Sequence, residues 1–138
     1  MRERPFVDTN VLVYFFFADG ARRTRAEELL SHGALISVQV LNEFASVARS
    51  KLHLSWERFR ELREQVMLLV PEPLPLTLQT HMRAVETASR YGFTIYDGLI
   101  LAAALEAGSP ILYTEDMQHG QVIDGMRIEN PFLNPGTP

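Results

Sequence analysis

Short apolar runs and longer stretches with helical periodicity alternate along the chain. The runs end at polar or turn residues, as buried strands do, and lie at 5–7, 34–36, 110–113 and 126–128. A further run at 74–76 contains Pro75, which predicts only a short or edge strand. Helices are predicted at 11–17, 22–32, after Ser37, from Trp56 to Val70, at 77–91 and at 96–107. This alternation predicts an α/β fold with a short-stranded, mainly parallel central sheet flanked by helices.

Composition narrows the classes of function. The chain has 138 residues, 46% of them apolar, which suits one folded domain. The absence of cysteine excludes disulfides, thiolate metal sites and cysteine nucleophiles. A net charge of −4 argues against general attraction to nucleic acids or anionic membranes, although an enzyme can still bind phosphates through cations. The longest apolar run, 11–18, is too short to span a membrane and is poorly flanked for a signal peptide, so we expect a soluble, cytoplasmic protein.

Four carboxylates fall where the predicted sheet should bind ligands. Asp8 directly follows the first strand, and Asp116 follows the strand that ends at Tyr113. Asp97 lies in the first turn of a helix, and Glu43 borders the apolar face of the helix after Ser37. Parallel sheets bind ligands at the carboxyl ends of their strands, so all four are candidates for one edge. A shared hard cation such as Mg²⁺, which prefers oxygen ligands, would relieve the repulsion between them.

Each of these acids also has a purely structural interpretation. Asp8 could cap a helix, and Asp97 could be the acid of a capping box that begins at Thr94. Glu43 could be solvated or paired with an arginine, and Asp116 could belong to a turn. Four such residues at predicted strand ends favour a common site over four separate coincidences.

Taken together, the motifs are similar to those of a known family. They are FVDTNVL at 6–12, ISVQVLNEF at 36–44, TIYDGLILAAA at 94–104, ILYTEDM at 111–117 and NPF at 130–132. In this order and spacing, the chain resembles a PIN-domain ribonuclease, and within that group a VapC-type toxin of a type II toxin–antitoxin system. The resemblance covers nearly the whole chain and implies a single PIN domain at 1–138 with a three-layer α/β/α, PIN-like fold.

The resemblance also implies which residues act. Asp8, Glu43 and Asp97 would be the core catalytic and metal-ligating acids, with Asp116 as a fourth, more variable one. Glu115 stands beside Asp116, which leaves the choice between the two open. The expected supporting residues are Thr9, Asn10 and Thr114.

The implied reaction is hydrolysis of RNA phosphodiester bonds with Mg²⁺, or Mn²⁺, as cofactor. The implied partners are an RNA substrate, a small antitoxin protein and a second copy of the chain in a homodimer, with no membrane. Arg22, Arg23 and Arg25 could contact RNA phosphates, or could instead pair with the glutamates at 27–28. Four successive aromatic residues at 14–17 exceed what one buried helix face needs, which predicts an exposed apolar patch covered by a partner.

Two other functions compete with this one. A HAD-like or receiver-like phosphotransfer protein also has an aspartate after its first strand, but a HAD enzyme needs a second aspartate where this chain has Asn10. A PIN-like domain could also bind RNA or protein without cleaving it. The presence of all four acids disfavours that alternative.

Overall fold

A computed structural model describes residues 4–133, so the predicted domain bounds 1–138 extend past the described residues at both ends. Within them, short strands alternate with longer helices. In chain order the elements are β1 (Phe6–Val7), α1 (Thr9–Phe17), α2 (Gly20–Ser31), α3 (Val38–Ser50), α4 (Trp56–Leu69), α5 (Leu78–Tyr91), α6 (Ile95–Glu106), β2 (Ile111–Tyr113), β3 (Val122–Ile123) and β4 (Met126–Glu129). No helix within residues 4–133 is both long enough and apolar enough to cross a membrane.

The four strands form one sheet in the order β1-β2-β4-β3. β1 pairs with β2, and β2 with β4, in parallel. β3 runs antiparallel to β4. The predicted α/β fold with a mainly parallel sheet is therefore confirmed, and β1 and β2 both end at the sheet edge that carries Asp8 and Thr114.

Two parts of the sheet differ from the sequence prediction. The run 34–36 does not form a regular strand; it contributes one parallel bridge, between Leu35 and Phe6, because the chain soon enters α3. β3 was not predicted, since two residues carry too little pattern to detect. It is joined to β4 by Asp124 and Gly125, whose φ angles of 47° and 85° suit a tight two-residue hairpin turn.

Helix starts are set by capping side chains immediately before them. The Oδ1 of Asp8 accepts a hydrogen bond from the Thr9 N–H, and the hydroxyl of Ser37 accepts one from the Val40 N–H. Thr94 accepts in the same way from the Asp97 N–H. Such caps satisfy N–H groups that the helix itself leaves without partners. They fix where α1, α3 and α6 begin, and hence the positions of the acids on them.

The aromatic run on α1 is more buried than the sequence predicted. Tyr14, Phe15 and Phe16 are partly buried against the core, and Phe16 stacks on Phe44 with ring centroids 5.9 Å apart. Only Phe17, 42% exposed, presents a largely open ring. The aromatic part of the expected exposed apolar patch is therefore smaller than the four-residue run indicated, because α1 packs against both α2 and α3 and so buries more than one face.

Helices α5 and α6 approach each other closely at Gly98. A β-carbon on Gly98 would lie 2.6 Å from the backbone oxygen of Ala84, a distance that packed atoms do not tolerate. Glycine is therefore required here for close approach. The contact fixes the first turn of α6, in which Asp97 precedes Gly98.

Candidate active site

Asp8 is the most deeply buried acid of the site. It follows β1 directly and is only 3% exposed. Its Oδ1 accepts from the Thr9 N–H at 2.7 Å, and its Oδ2 accepts from the Thr114 hydroxyl at 2.8 Å. Burial, with a smaller contribution from the nearby carboxylates of Asp116 and Asp97, raises the pKa of Asp8 to about 6 despite these hydrogen bonds. A carboxylate in such a place is costly to ionise without a compensating cation.

Asp116 is held beside Asp8 by two neighbours. Its backbone N–H donates to the Thr114 hydroxyl at 3.1 Å, so Thr114 bridges the two aspartates. The Asn10 side chain donates from Nδ2 to Asp116 Oδ2 at 3.2 Å. The other amide atom of this side chain, Asn10 Oδ1, is buried and has no hydrogen-bond partner among the described residues. Buried polar atoms are rarely left in that state.

Glu43 reaches the cluster from α3. Its Oε2 accepts from Gln39 Nε2 at 3.1 Å, one helical turn earlier. Burial raises the pKa of Glu43 to about 7, and the negative charges of Asp8, Asp97 and Asp116 act in the same direction. Gln39 is itself buried and was not predicted as a site residue. Its spacing of four residues from Glu43 was the signal that could have identified it.

Asp97 is presented by the first turn of α6. Its N–H donates to the Thr94 hydroxyl at 3.1 Å, which is the capping contact at the start of α6. Burial raises the pKa of Asp97 above its ordinary value, and the charge of Asp116 adds to the effect. The structure therefore brings Asp8, Glu43, Asp97 and Asp116 within electrostatic reach of one another.

The side chains of Thr9 and Glu115 make hydrogen bonds outside the cluster of four acids. The Thr9 hydroxyl is directed at α3 and lies 3.5 Å from the Val40 carbonyl oxygen. Only the backbone N–H of Thr9 donates to Asp8. Glu115 accepts from the Tyr14 hydroxyl at 2.5 Å. The geometry thus distinguishes the two neighbours, since Asp116 faces the other acids and Glu115 is bound to Tyr14.

The three arginines at the start of α2 are not equivalent. Arg23 pairs with Glu27 at 3.0 Å, and Arg25 pairs with Glu28 at 3.2 Å. Arg22 instead lies over the ring of Tyr14, with its guanidinium carbon 5.1 Å from the ring centroid. It forms no ion pair with any residue in the range 4–133. Of the three candidates for phosphate contact, Arg22 has its charge least neutralised.

The donor set suits a hard divalent cation in its chemistry. It consists of carboxylate oxygens and one buried amide oxygen without a partner, and no Lys or Arg among residues 4–133 forms a salt bridge with any of the four acids. No three acidic or histidine side chains in that range, however, are close enough together to form a closed cation site. The cluster therefore offers suitable ligands in a more open arrangement than a closed site has.

Comparison with known proteins identifies the family to which this fold belongs. Residues 6–123 match the family model of the PIN domain, so the chain belongs to the PIN-domain family, as its motifs predicted. No curated protein matches the chain significantly in sequence. Family membership removes the HAD-like alternative.

Several solved structures share the fold. One is a toxin–antitoxin complex from Klebsiella pneumoniae, with 21% identity, a TM-score of 0.70 and coverage of 93% of this chain and 98% of that one. A DNA-bound VapBC from Salmonella typhimurium has 22% identity, a TM-score of 0.68 and the same coverage. VapC20 of Mycobacterium tuberculosis, described as a toxin that cleaves the sarcin–ricin loop, has 20% identity, a TM-score of 0.64 and coverage of 81% and 89%. At these identities the likeness concerns the fold.

Proposed function

We propose that this protein is a metal-dependent endoribonuclease and the VapC-type toxin of a toxin–antitoxin pair. The observation that carries the proposal is the cluster of Asp8, Glu43, Asp97 and Asp116, which forms at the sheet edge of a PIN fold without a basic partner among the described residues. The whole chain, 1–138, would form one such domain and act in the cytoplasm.

The four acids would hold Mg²⁺, or Mn²⁺ in its place. When bound, the ion would lower the pKa of a coordinated water and offset charge on the phosphate. The chain's own residues prepare the ligands. Thr114 orients Asp8, Asn10 orients Asp116 and Gln39 orients Glu43, each through the hydrogen bond described above.

The raised pKa values of the acids are a second reason to expect a bound cation. Because burial raises the pKa of Asp8 to about 6 and that of Glu43 to about 7, each carboxyl group loses its proton less readily than an exposed one does. A divalent cation stabilises the ionised forms and competes with those protons. Cleavage should therefore weaken as the pH falls through this range, since protons then compete with the metal for the same oxygens.

An antitoxin would neutralise the enzyme. The Klebsiella and Salmonella neighbours are toxin–antitoxin assemblies, which supports the same arrangement for this chain. A segment disordered when free, with a basic side chain that enters the acid cluster, would compete with the metal.

A homodimer is supported by an apolar stripe on α5. Leu78, Met82 and Val85 are 75%, 60% and 43% exposed and recur at the spacing of one helix face. The opposite face of α5, with Ala84, is buried against α6. We propose that this stripe pairs with its own copy in a second chain, since a two-fold interface uses the same patch twice.

The toxin assignment is tested in cells. The chain is expressed under an inducible promoter with and without the product of the reading frame beside its gene, and RNA 5′ ends are sequenced after induction. The proposal predicts growth arrest with new RNA ends, both suppressed by the neighbouring product. Harmless expression without new RNA ends would favour the non-cleaving binder instead.

A further inference from the structure

A cavity of about 860 Å³ lies between α2 and the segment that follows β4. None of the four acids lines it. Its lining combines arginine, amide and aromatic side chains; those used below are Arg22, Arg25, Glu28, Glu129, Asn130 and Phe132.

The charges in the lining leave one positive group without an ion pair. Glu28 is neutralised by Arg25 at 3.2 Å, and Glu129 by Arg127 at 2.7 Å. Arg22 is the only charged lining residue that forms no salt bridge within residues 4–133. In a chain of net charge −4, Arg22 therefore gives the cavity one positive charge that no acid of the described residues pairs.

The aromatic part of the lining is held in place by the surrounding chain. The Phe132 N–H donates to Asn130 Oδ1 at 2.9 Å, which fixes the turn that carries the ring. The Phe132 ring meets Tyr14 edge to face, with centroids 4.7 Å apart. A held aromatic ring beside an arginine suits a nucleobase, because bases stack on aromatic side chains whatever their sequence.

Tyr14 connects the cavity to the acid cluster. One side of this residue contacts Arg22 and Phe132, and its hydroxyl donates to Glu115. Glu115 precedes Asp116, whose carboxylate lies in the cluster. These contacts thus link two lining residues of the cavity to the residue that precedes Asp116.

We propose that this cavity is a subsite for one nucleotide of single-stranded RNA adjacent to the cleaved bond. Arg22 binds its phosphate and Phe132 contacts its base. The inference rests on the proposed function, because it assigns the cavity to the substrate of that site. The four carboxylates of the acid cluster repel the phosphates of an approaching strand, and the positive charge of Arg22 offsets part of this repulsion.

The test compares two adjacent arginines on the same helix. Arg22→Gln removes the unpaired positive charge of the cavity, and Arg23→Gln is the matched control, because Arg23 is exposed and already paired with Glu27. Binding of a fluorescein-labelled single-stranded RNA is measured by anisotropy in chelator, where no metal-dependent cleavage occurs, across a series of salt concentrations.

Arg22→Gln should raise Kd by about tenfold and reduce the slope of log K against log salt by about 0.7, the loss of one phosphate contact on a single strand. The Kd of Arg23→Gln should stay within about twofold of the wild-type value, because Arg23 is an exposed charge that is already paired. Phe132→Leu keeps an apolar side chain but loses the ring, so it should weaken binding by about fivefold or more without changing the salt slope.

The outcomes separate this inference from the proposed function. Equal RNA affinity of Arg22→Gln and Arg23→Gln would overturn the subsite and leave the cavity to a protein partner, whether or not the wild type cleaves RNA. A wild type that cleaves no RNA with Mg²⁺ or Mn²⁺, but loses binding in Arg22→Gln, would overturn the nuclease and retain the subsite.

Discussion

The buried Asp8 carboxylate should destabilise the metal-free protein, so that Asp8→Asn makes it more stable near neutral pH. Burial raises the pKa of Asp8 from 3.8 in its ordinary state to about 6 in the folded protein. Between these values the folded chain binds more protons than the unfolded one. Stability therefore falls as the pH rises through this window, and the full cost is present above about pH 6. Asparagine never ionises and avoids that cost.

The size of the effect follows from the pKa and the local hydrogen bonds. A rise from 3.8 to about 6 corresponds to about 3 kcal/mol. Asparagine keeps one carbonyl oxygen as acceptor but loses the other, so one of the contacts from Thr9 and Thr114 is lost at a cost of about 1–1.5 kcal/mol. The net expected gain is about 1.5–2 kcal/mol, or roughly 5–7 °C in Tm for a domain of this size.

The assay is thermal unfolding in chelator at about pH 8 and about pH 4, with Asp19→Asn as the control because Asp19 is exposed and its side chain makes no cap hydrogen bond. Asp8→Asn should exceed the wild type in Tm at the higher pH and lose that advantage at the lower one. Asp19→Asn should show no such dependence. An Asp8→Asn variant that is less stable at the higher pH, or that gains equally at both, would refute the reasoning.

Three further variants test other parts of the account. Asp97→Asn should abolish metal-dependent cleavage without lowering Tm, since burial already makes the Asp97 carboxylate costly to ionise and the capping N–H is kept; a destabilised variant with full turnover would show a structural role. Gly98→Ala should lower stability by about 1–3 kcal/mol in denaturant unfolding, because its β-carbon meets the backbone of Ala84, and an unchanged midpoint would contradict that packing. Met82→Asp should convert a dimer to a monomer in sedimentation, whereas Leu68→Asp, on α4 and 83% exposed, should not; a dimer that survives Met82→Asp would place the interface elsewhere.

The positions of the candidate acids relative to the helices and strands could be predicted because local sequence features mark them. Asp8 ends a buried apolar run, and Asp97 follows Thr94 at the start of a strongly apolar helix. Strand ends and helix caps are local features, so a single sequence reveals them. The topology then brings these residues to one edge of the sheet.

The contacts that the sequence did not reveal depend on tertiary packing. Tyr14 and Glu115 are far apart in the chain and meet only because α1 packs beside the end of β2. The burial of Phe16 likewise depends on Phe44 from α3. The short strand β3 is stabilised by pairing with β4 rather than by any pattern of its own. None of these contacts has a local signal of sufficient length.

The central claim is tested most directly by cleavage of labelled single-stranded RNA by the purified protein. The wild type is incubated with Mg²⁺ or Mn²⁺ and with excess chelator, beside Asp8→Asn and the control Asp19→Asn. We expect cleavage with either ion by the wild type and Asp19→Asn, none in chelator, and none by a folded Asp8→Asn protein. Cleavage that persists in chelator, or in Asp8→Asn, would contradict it.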